Sequence, residues 1–224
     1  MAAALAITAA FTSSCYIRVS DEAKKELKEK LEFEKEVREQ TYVGEDPVII
    51  HPGAFTKLVL SDWADVKFVQ REGEPEVVVT GTYRSRDLVT VENEDGVLGI
   101  YYKTFAGMSF YNDETITLYA PGFKILDKSG SGDFEGGIRC DSLVIRKSGS
   151  GDIDMKVEAE LLDVSSIGSG DVKLEGYVGK LIIEKSGSGD IDAASLEAKD
   201  VSVNKTGSGD ITYRHDGKVV EYER

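Results

Sequence analysis

The sequence contains very few of the residues that build zinc centres. Its 224 residues include only two cysteines, Cys15 and Cys140, and two histidines, His51 and His215. A zinc site made of cysteine and histidine needs several such ligands close together, and too few are present here. The count does not exclude a Ser-His-Asp or Cys-His pair, but the residues around the two histidines do not suggest one.

Basic residues are scarce compared with acidic ones. The chain has 27 lysines and arginines against 41 aspartates and glutamates, which gives a formal net charge of -14. A surface this acidic repels the phosphate backbone of nucleic acids and the anionic head groups of lipids. We therefore expect no nucleic-acid partner, and we expect contact with a membrane only through an N-terminal lipid.

The apolar run at the start of the chain is too short to cross a bilayer. Residues 2–11 are followed by Thr12-Ser13-Ser14-Cys15, and a short apolar run before small residues has the form of a signal peptide. The cysteine resembles that of a bacterial lipobox, which predicts a signal peptide over residues 1–14 and a lipidated Cys15. No basic residue precedes the run, so plain secretion, or an apolar start without a targeting role, stays open.

Residues 20–40 have a helical pattern. Ser20 is a good N-cap, and the residues after it are mostly charged, with one narrow apolar stripe. This pattern predicts a charged helix within a tether over residues 15–43. Such a helix is either a solvated spacer or a short coiled-coil or partner-docking helix.

A four-residue motif recurs in the second half of the chain at a nearly constant spacing. Gly-Ser-Gly-Asp begins at five glycines that lie 19, 19, 19 and 20 residues apart: Gly130, Gly149, Gly168, Gly187 and Gly207. Apolar and polar residues alternate on both sides of each copy, which indicates short strands with one buried face. Such repeats bury a continuous apolar column only when they stack. The sequence therefore predicts an all-β fold, a parallel β-helix of coils of about 19 residues over residues 123–224.

Residues 44–122 have a less regular pattern of the same kind. The stretch 58–68 follows the coil pattern without Gly-Ser-Gly, and Asp95-Gly96 is a strong hairpin signal between apolar runs. Irregular repeats are expected at the end of a solenoid, because the terminal coil must be capped. We predict an irregular N-terminal β portion that forms one continuous domain with the regular coils.

Three motifs occur in a fixed order between residues 45 and 213. They are the opening Phe55-Thr56-Lys57-Leu58-Val59-Leu60, the turn Asp95-Gly96-Val97-Leu98 with the strand Ile116-Thr117-Leu118-Tyr119-Ala120-Pro121, and the Ser-Gly-Ser-Gly-Asp repeats from Ser129 onward. In this combination the sequence resembles the putative auto-transporter adhesin, head GIN domain family, which is common among exported proteins of Bacteroidota. The resemblance implies a β-helical domain behind a signal or lipoprotein leader. It implies no known activity and no catalytic residues.

The aspartate of the repeat has the same position in every coil. Stacking would place these carboxylates in one row, about 5 Å apart: Asp133, Asp152, Asp171, Asp190 and Asp210. Neighbouring carboxylates at this spacing repel each other by about 1 kcal/mol in water, so something must offset the repulsion.

Three interpretations of the aspartate row are open. In the first the aspartates are structural, and turn N–H groups together with a neighbouring lysine row offset their charge. That row, which Ser166 interrupts, consists of Lys128, Lys147, Lys185 and Lys205. In the second the carboxylates hold Ca²⁺, the one cofactor that the sequence suggests. In the third two of them act as a glycoside-hydrolase pair, although a uniform row is not a cleft.

The most irregular stretch of the β region, residues 101–113, is rich in aromatic side chains. Exposed aromatic rings can stack on sugars or anchor a protein partner. The candidates for ligand contact are Tyr101, Tyr102, Phe105, Phe110 and Tyr111. In the alternative interpretation these rings cap the apolar end of the coil stack.

These features predict a non-catalytic surface module for adhesion or binding. It would sit in the cell envelope as an outer-membrane lipoprotein that faces the periplasm or the cell surface. Its partner would be a glycan or a protein of the envelope or matrix, which the sequence does not identify. The alternatives are a polysaccharide-acting enzyme on a β-helix, and a periplasmic scaffold or stress component that acts through the 20–40 helix.

Overall fold

The structure is a computed structural model that describes residues 47–81, 86, 88–103 and 114–222. The predicted signal peptide, Cys15 and the predicted charged helix lie outside these residues. Fourteen strands are present in the described part of the chain: β1 (Val48–Ile50), β2 (Lys57–Leu60), β3 (Val66–Gln70), β4 (Glu76–Thr80), β5 (Val89–Glu94), β6 (Val97–Tyr102), β7 (Thr115–Ala120), β8 (Ile125–Lys128), β9 (Phe134–Gly149), β10 (Ile153–Gly168), β11 (Val172–Gly187), β12 (Ile191–Thr206), β13 (Ile211–His215) and β14 (Lys218–Glu221).

The four long strands β9 to β12 form the regular part of the fold. Each has 16 residues and pairs in parallel with the next, so that Phe134 lies beside Ile153 and Ile153 beside Val172. A constant shift of one repeat between neighbours is the pairing of a solenoid, in which each coil lies on the one before. The predicted all-β solenoid of stacked coils is confirmed, with about five turns.

A β-bulge explains the single spacing of 20 residues. Along β11 and β12 the register changes from Lys173 opposite Asp192 to Glu175 opposite Ser195, so β12 contains one extra residue. A bulge accommodates one additional residue without breaking the sheet. The coil therefore keeps its corners in line with those of its neighbours.

The irregular N-terminal portion continues the same stack. Strand β3 pairs in parallel with the first part of β9, and β2 pairs in parallel with β8, which pairs with the later part of β9. The corner between β2 and β3 contains Asp62, which has a φ of 67°, and its carbonyl accepts a hydrogen bond from the N–H of Ser131 at 2.7 Å. The predicted coil over residues 58–68 is therefore confirmed, with an aspartate where later coils have glycine.

Antiparallel strands complete the N-terminal end of the solenoid. Strand β4 pairs with both β1 and β7, while β5 and β6 form a hairpin. Asp95 and Gly96 join β5 to β6 with φ values of 51° and 79°, as a two-residue hairpin turn requires. The predicted hairpin at this dipeptide is confirmed.

The core is a column of inward-facing side chains. Leucines and other aliphatic residues at equivalent coil positions lie directly above one another and are fully buried: Leu143, Ile145, Leu162, Val164, Leu181 and Ile183. At the N-terminal end aromatic rings fill the column, with 4.9 Å between the ring centroids of Phe68 and Phe123. Within the described ranges, no helix is long and apolar enough to span a membrane.

Candidate functional site: an aspartate ladder and its groove

The corner that carries the repeated motif stacks too tightly for side chains at either glycine. Gly168 has a φ of 132°, and a Cβ on it would lie closer than 3.0 Å to the backbone of Gly149. A Cβ on Gly170 would lie closer than 3.0 Å to the backbone of Gly151 and Ser150. The two glycines of the motif are therefore required because backbones of successive coils touch at this corner.

The aspartate that ends the motif forms a ladder along the solenoid. Its Oδ1 accepts a hydrogen bond of 2.7 Å from the backbone N–H of the aspartate in the following coil, which repeats along the pairs Asp133/Asp152, Asp152/Asp171, Asp171/Asp190 and Asp190/Asp210. The acceptor role that the structural interpretation expected is present, but the N–H group comes from the next coil and not from the aspartate's own turn. The ladder thus fastens successive coils together outside the core.

A sixth aspartate, which the sequence interpretation missed, begins the ladder. Asp65 accepts a hydrogen bond of 2.8 Å from the N–H of Asp133. In the sequence it ends the corner Asp62-Trp63-Ala64-Asp65, which keeps the length of the motif and its final aspartate. That residual similarity was the available signal, although the two coils are separated by a long insertion.

The ladder lines an open groove of about 880 Å³ on the outside of the solenoid. Nine carboxylates of the described residues line it: Asp65, Glu114, Asp133, Glu135, Asp152, Asp154, Asp171, Asp190 and Asp192. Among the described residues that line the groove, only two carry ammonium groups, with Lys67 3.0 Å from Glu135 and Lys173 3.2 Å from Asp154. The charge of the groove therefore favours ligands that donate hydrogen bonds or carry positive charge.

Three members of the lysine row, Lys128, Lys147 and Lys185, are buried inside the corner, whereas Lys205 lies 3.5 Å from the ladder residue Asp210. Lys147 Nζ donates to the carbonyl of Gly170 at 2.6 Å, and Lys185 Nζ donates to the carbonyl of Gly187 at 3.1 Å. Burial lowers the pKa of both side chains. Alternate residues of a strand face the same side, and Lys147 lies two residues after Ile145 and four after Leu143, which both face the core. The inward direction of the Lys147 side chain could therefore have been predicted from the sequence.

Lys128 differs from the other buried lysines. It is 3% exposed, and within the described part of the chain its Nζ has no hydrogen-bond partner. Burial and the charge of Lys147 lower the pKa of Lys128, while the nearest ladder carboxylates oppose that change. The first corner of the regular coils therefore contains an ammonium group whose charge is offset by the carboxylates of Asp133, Asp152 and Asp65 without a direct hydrogen bond.

Calcium binding by the ladder stays a prediction. Each ladder aspartate from Asp65 to Asp190 uses one carboxylate oxygen in the hydrogen bond to the next coil. Across the described ranges, no group of three or more His, Cys, Asp or Glu side chains has an arrangement that could hold a metal ion. A cation at the ladder would have to use the second oxygen of each carboxylate together with water.

Ligand contact through the aromatic candidates stays a prediction, because only Tyr101 and Tyr102 lie among the described residues. Tyr102 is buried and stacks on Trp63, with 5.0 Å between the ring centroids. Tyr101 is partly exposed and its hydroxyl hydrogen-bonds to Glu92. Phe105, Phe110 and Tyr111 lie outside the described residues.

Substitution of one ladder residue tests whether the ladder is structural. We expect Asp171→Asn to keep or slightly raise the free energy of unfolding, because an amide oxygen can still accept from the N–H of Asp190 while a repulsive charge is lost. We expect Asp171→Ala to lower it by about 1 kcal/mol, because that N–H loses its acceptor. Urea unfolding of both variants is the measurement. Equal destabilisation by the two variants would show that the charge is needed, as a bound cation would require.

A family model and several solved structures match this chain. The family model described as "Putative auto-transporter adhesin, head GIN domain" matches residues 54–220. A putative adhesin from Bacteroides fragilis is similar in structure, with a TM-score of 0.72 and 26% identity over 76% of this chain and 81% of that one. No curated protein sequence matches the chain significantly.

Two further solved structures share the fold at lower identity. A putative adhesin from Parabacteroides merdae has a TM-score of 0.59 and 20% identity, over 74% of this chain and 80% of that one. A putative lipid binding protein from Parabacteroides distasonis has a TM-score of 0.54 and 23% identity, over 76% of this chain and 89% of that one. At these identities the likeness extends to the fold alone.

Proposed function

Because the chain belongs to the family described as putative auto-transporter adhesin, head GIN domain, we propose that it is an exported, lipid-anchored surface module that binds a ligand along the groove of the aspartate ladder. The family and the β-solenoid fold suggest a surface binding module. The groove supports the choice of this face as the ligand-binding surface, because a row of carboxylates is a regular array of hydrogen-bond acceptors.

The ladder also supports a non-catalytic role. An acid–base pair needs two carboxylates in environments that differ, so that one is protonated while the other is ionised. Successive ladder aspartates instead share one environment, since each accepts the same 2.7 Å hydrogen bond from the next coil. A repeated surface of this kind suits binding to an extended or repetitive ligand, such as a glycan or an envelope or matrix protein.

The lipid anchor is part of the proposal and has its own test. Cys15 follows the small residues of a lipobox-like sequence, and acylation at this position would fix the chain to the cell envelope. We expect metabolic labelling with a fatty acid to mark the protein and Cys15→Ser to abolish the label. Cys140→Ser is the matched control, and a label that survives Cys15→Ser would contradict the anchor.

Ligand binding is tested by screening the purified chain on glycan and matrix-protein arrays, with and without Ca²⁺. We expect retention without release of sugar fragments, and an affinity about tenfold lower for the double variant Glu135→Gln, Asp154→Asn in the groove. The control is Glu160→Gln, Glu184→Gln, which removes two exposed carboxylates outside the groove. Equal loss in both double variants would contradict the groove, and release of fragments would contradict the non-catalytic role.

A further inference from the structure

A second concavity, of about 560 Å³, lies on the surface beyond the end of β3. Its described lining includes three cations, Arg71, Arg139 and Lys156, and two carboxylates, Glu72 and Glu158. No described residue lines both this concavity and the groove of the aspartate ladder. We call it the basic concavity, because cations outnumber carboxylates in its described lining although the chain has a net charge of -14.

The basic concavity begins where β3 and β9 stop pairing. Their last parallel pair is Val69 with Gly137. Beyond it the side chain of Gln70 takes the place of a strand, since its Oε1 accepts from the N–H of Arg139 at 2.8 Å and its Nε2 donates to the carbonyl of Arg139 at 2.9 Å. The Nε2 also donates to the carbonyl of Pro121 at 2.7 Å. Gln70 is therefore a positioning residue that fixes the backbone of Arg139.

The two arginines of the basic concavity have guanidinium groups that are held in place. The Arg71 Nη2 lies 3.1 Å from Glu76 Oε2, and the guanidinium carbon lies 4.5 Å from the centroid of the Tyr119 ring. The Nε of Arg139 donates to Glu158 Oε2 at 2.7 Å. A guanidinium has five N–H donors in one plane, so these ion pairs leave donors for a further acceptor. Because the groups are already ordered, binding costs less conformational entropy than it would with free side chains.

The third cation of the basic concavity, Lys156, is exposed and makes no hydrogen bond or ion pair with its side chain within the described part of the chain. In this it differs from Lys67 and Lys173 of the groove, which both lie beside carboxylates. Lys156 pairs in β10 with Gly137 of β9, and a Cβ on that glycine would lie 3.7 Å from the Cβ of Lys156. The missing side chain at Gly137 therefore leaves room for a ligand beside an ammonium group that is not neutralised.

We propose that the basic concavity is a binding site for an oxyanion, the carboxylate or sulfate group of an acidic ligand. The guanidinium groups of Arg71 and Arg139 supply planar N–H donors, which match the paired oxygens of such a group. Lys156 supplies a positive charge at the third side. The volume of about 560 Å³ is within the range of small-molecule sites, about 300–1,000 Å³, and has room for the ring of an acidic sugar. This site is separate from the groove of the aspartate ladder and does not depend on the function proposed for that groove.

The experiment titrates the full-length, isotope-labelled chain with sodium sulfate, sodium glucuronate or glucose at constant ionic strength and follows the amide chemical shifts by NMR. We expect saturable shifts at Gly137, Arg139 and Lys156 with both anions and none with neutral glucose. Tighter binding of glucuronate supports the site and assigns it to an acidic sugar, whereas equal or tighter binding of sulfate supports the site and assigns it to the free ion. Absence of saturable shifts at these amides with both anions, or an equal response to glucose, overturns the proposal.

Three variants locate the site. Lys156→Gln removes the ammonium group and should weaken sulfate binding by about threefold or more, whereas Glu72→Gln removes an opposing carboxylate and should strengthen it by about twofold. The control is Lys218→Gln, at an exposed lysine of β14 outside the basic concavity, which makes the same change in net charge. Circular dichroism melts show whether the variants fold. Equal weakening by Lys156→Gln and Lys218→Gln would show a response to net charge alone and overturn the proposal.

Discussion

Gly170→Ala is expected to lower the free energy of unfolding by about 3–5 kcal/mol, which approaches the whole stability of a small domain. The added Cβ would lie closer than 3.0 Å to the backbone of Gly151 and Ser150. Because those atoms belong to the preceding coil, the corner can admit the methyl group only if the coils separate. Urea unfolding followed by circular dichroism measures the loss.

Gly137→Ala is the matched control for the corner. Gly137 also lies in a regular coil, but a Cβ on it would be 3.6 Å from the carbonyl oxygen of Lys156, an ordinary contact, and its φ is not positive. We expect a change of less than about 1 kcal/mol at this position. If Gly170→Ala is tolerated as well as Gly137→Ala, coil stacking at the corner is looser than the structure indicates.

Lys128→Met is expected to raise the free energy of unfolding by about 1–3 kcal/mol. The Lys128 ammonium group is buried and has no hydrogen-bond partner within the described residues, while methionine fills a similar volume without a charge. Lys147→Met is the control, because it also removes the 2.6 Å hydrogen bond to the carbonyl of Gly170 and should not stabilise the chain. Destabilisation by Lys128→Met would show that its ammonium group has a partner, such as a buried water.

The same variant has an expected pH signature. The pKa of Lys128 in the folded chain is lowered from the ordinary value of 10.5. Between the lowered pKa and 10.5 the unfolded chain binds more protons than the folded one, so the free energy of unfolding rises with pH in that window. Urea unfolding across alkaline pH should show this rise in the natural chain and a smaller rise in Lys128→Met. An unchanged slope would contradict the burial of a charged Lys128.

Much of the regular solenoid follows from local patterns in the sequence. The period of Gly-Ser-Gly-Asp specifies the coil length, and the parity of Leu143, Ile145 and Lys147 specifies which side chains face inward. Both are properties of short segments, since neighbouring side chains of a strand alternate between its two faces. The spacing of 20 residues was visible as well, but only pairing with β11 shows that β12 absorbs the extra residue as a bulge.

The full extent of the groove could not be predicted in the same way, although four of the aspartates that line it were predicted as a row from the repeat. Asp65 joins the ladder only because β3 lies beside β9, although nearly 70 residues separate the two aspartates that meet there. Among the described residues, the second half of β12 has no strand on its outer side, because the chain turns back at Asp216 and Gly217 into β14. Each feature depends on which distant segment comes to lie against a given strand.

The sequence by itself determined that this chain builds stacked coils, because repetition and alternation are written into every repeat and need no distant partner to be recognised. Only the tertiary structure decided how the regular coils continue into the N-terminal strands and which carboxylates share one groove. Those outcomes are set by long-range contacts and by the irregular segments at the two ends. The candidate groove reflects both, because its repeated aspartates follow from the sequence pattern, whereas Asp65 and Glu114 reach it only through the pairing of β3 with β7 and β9.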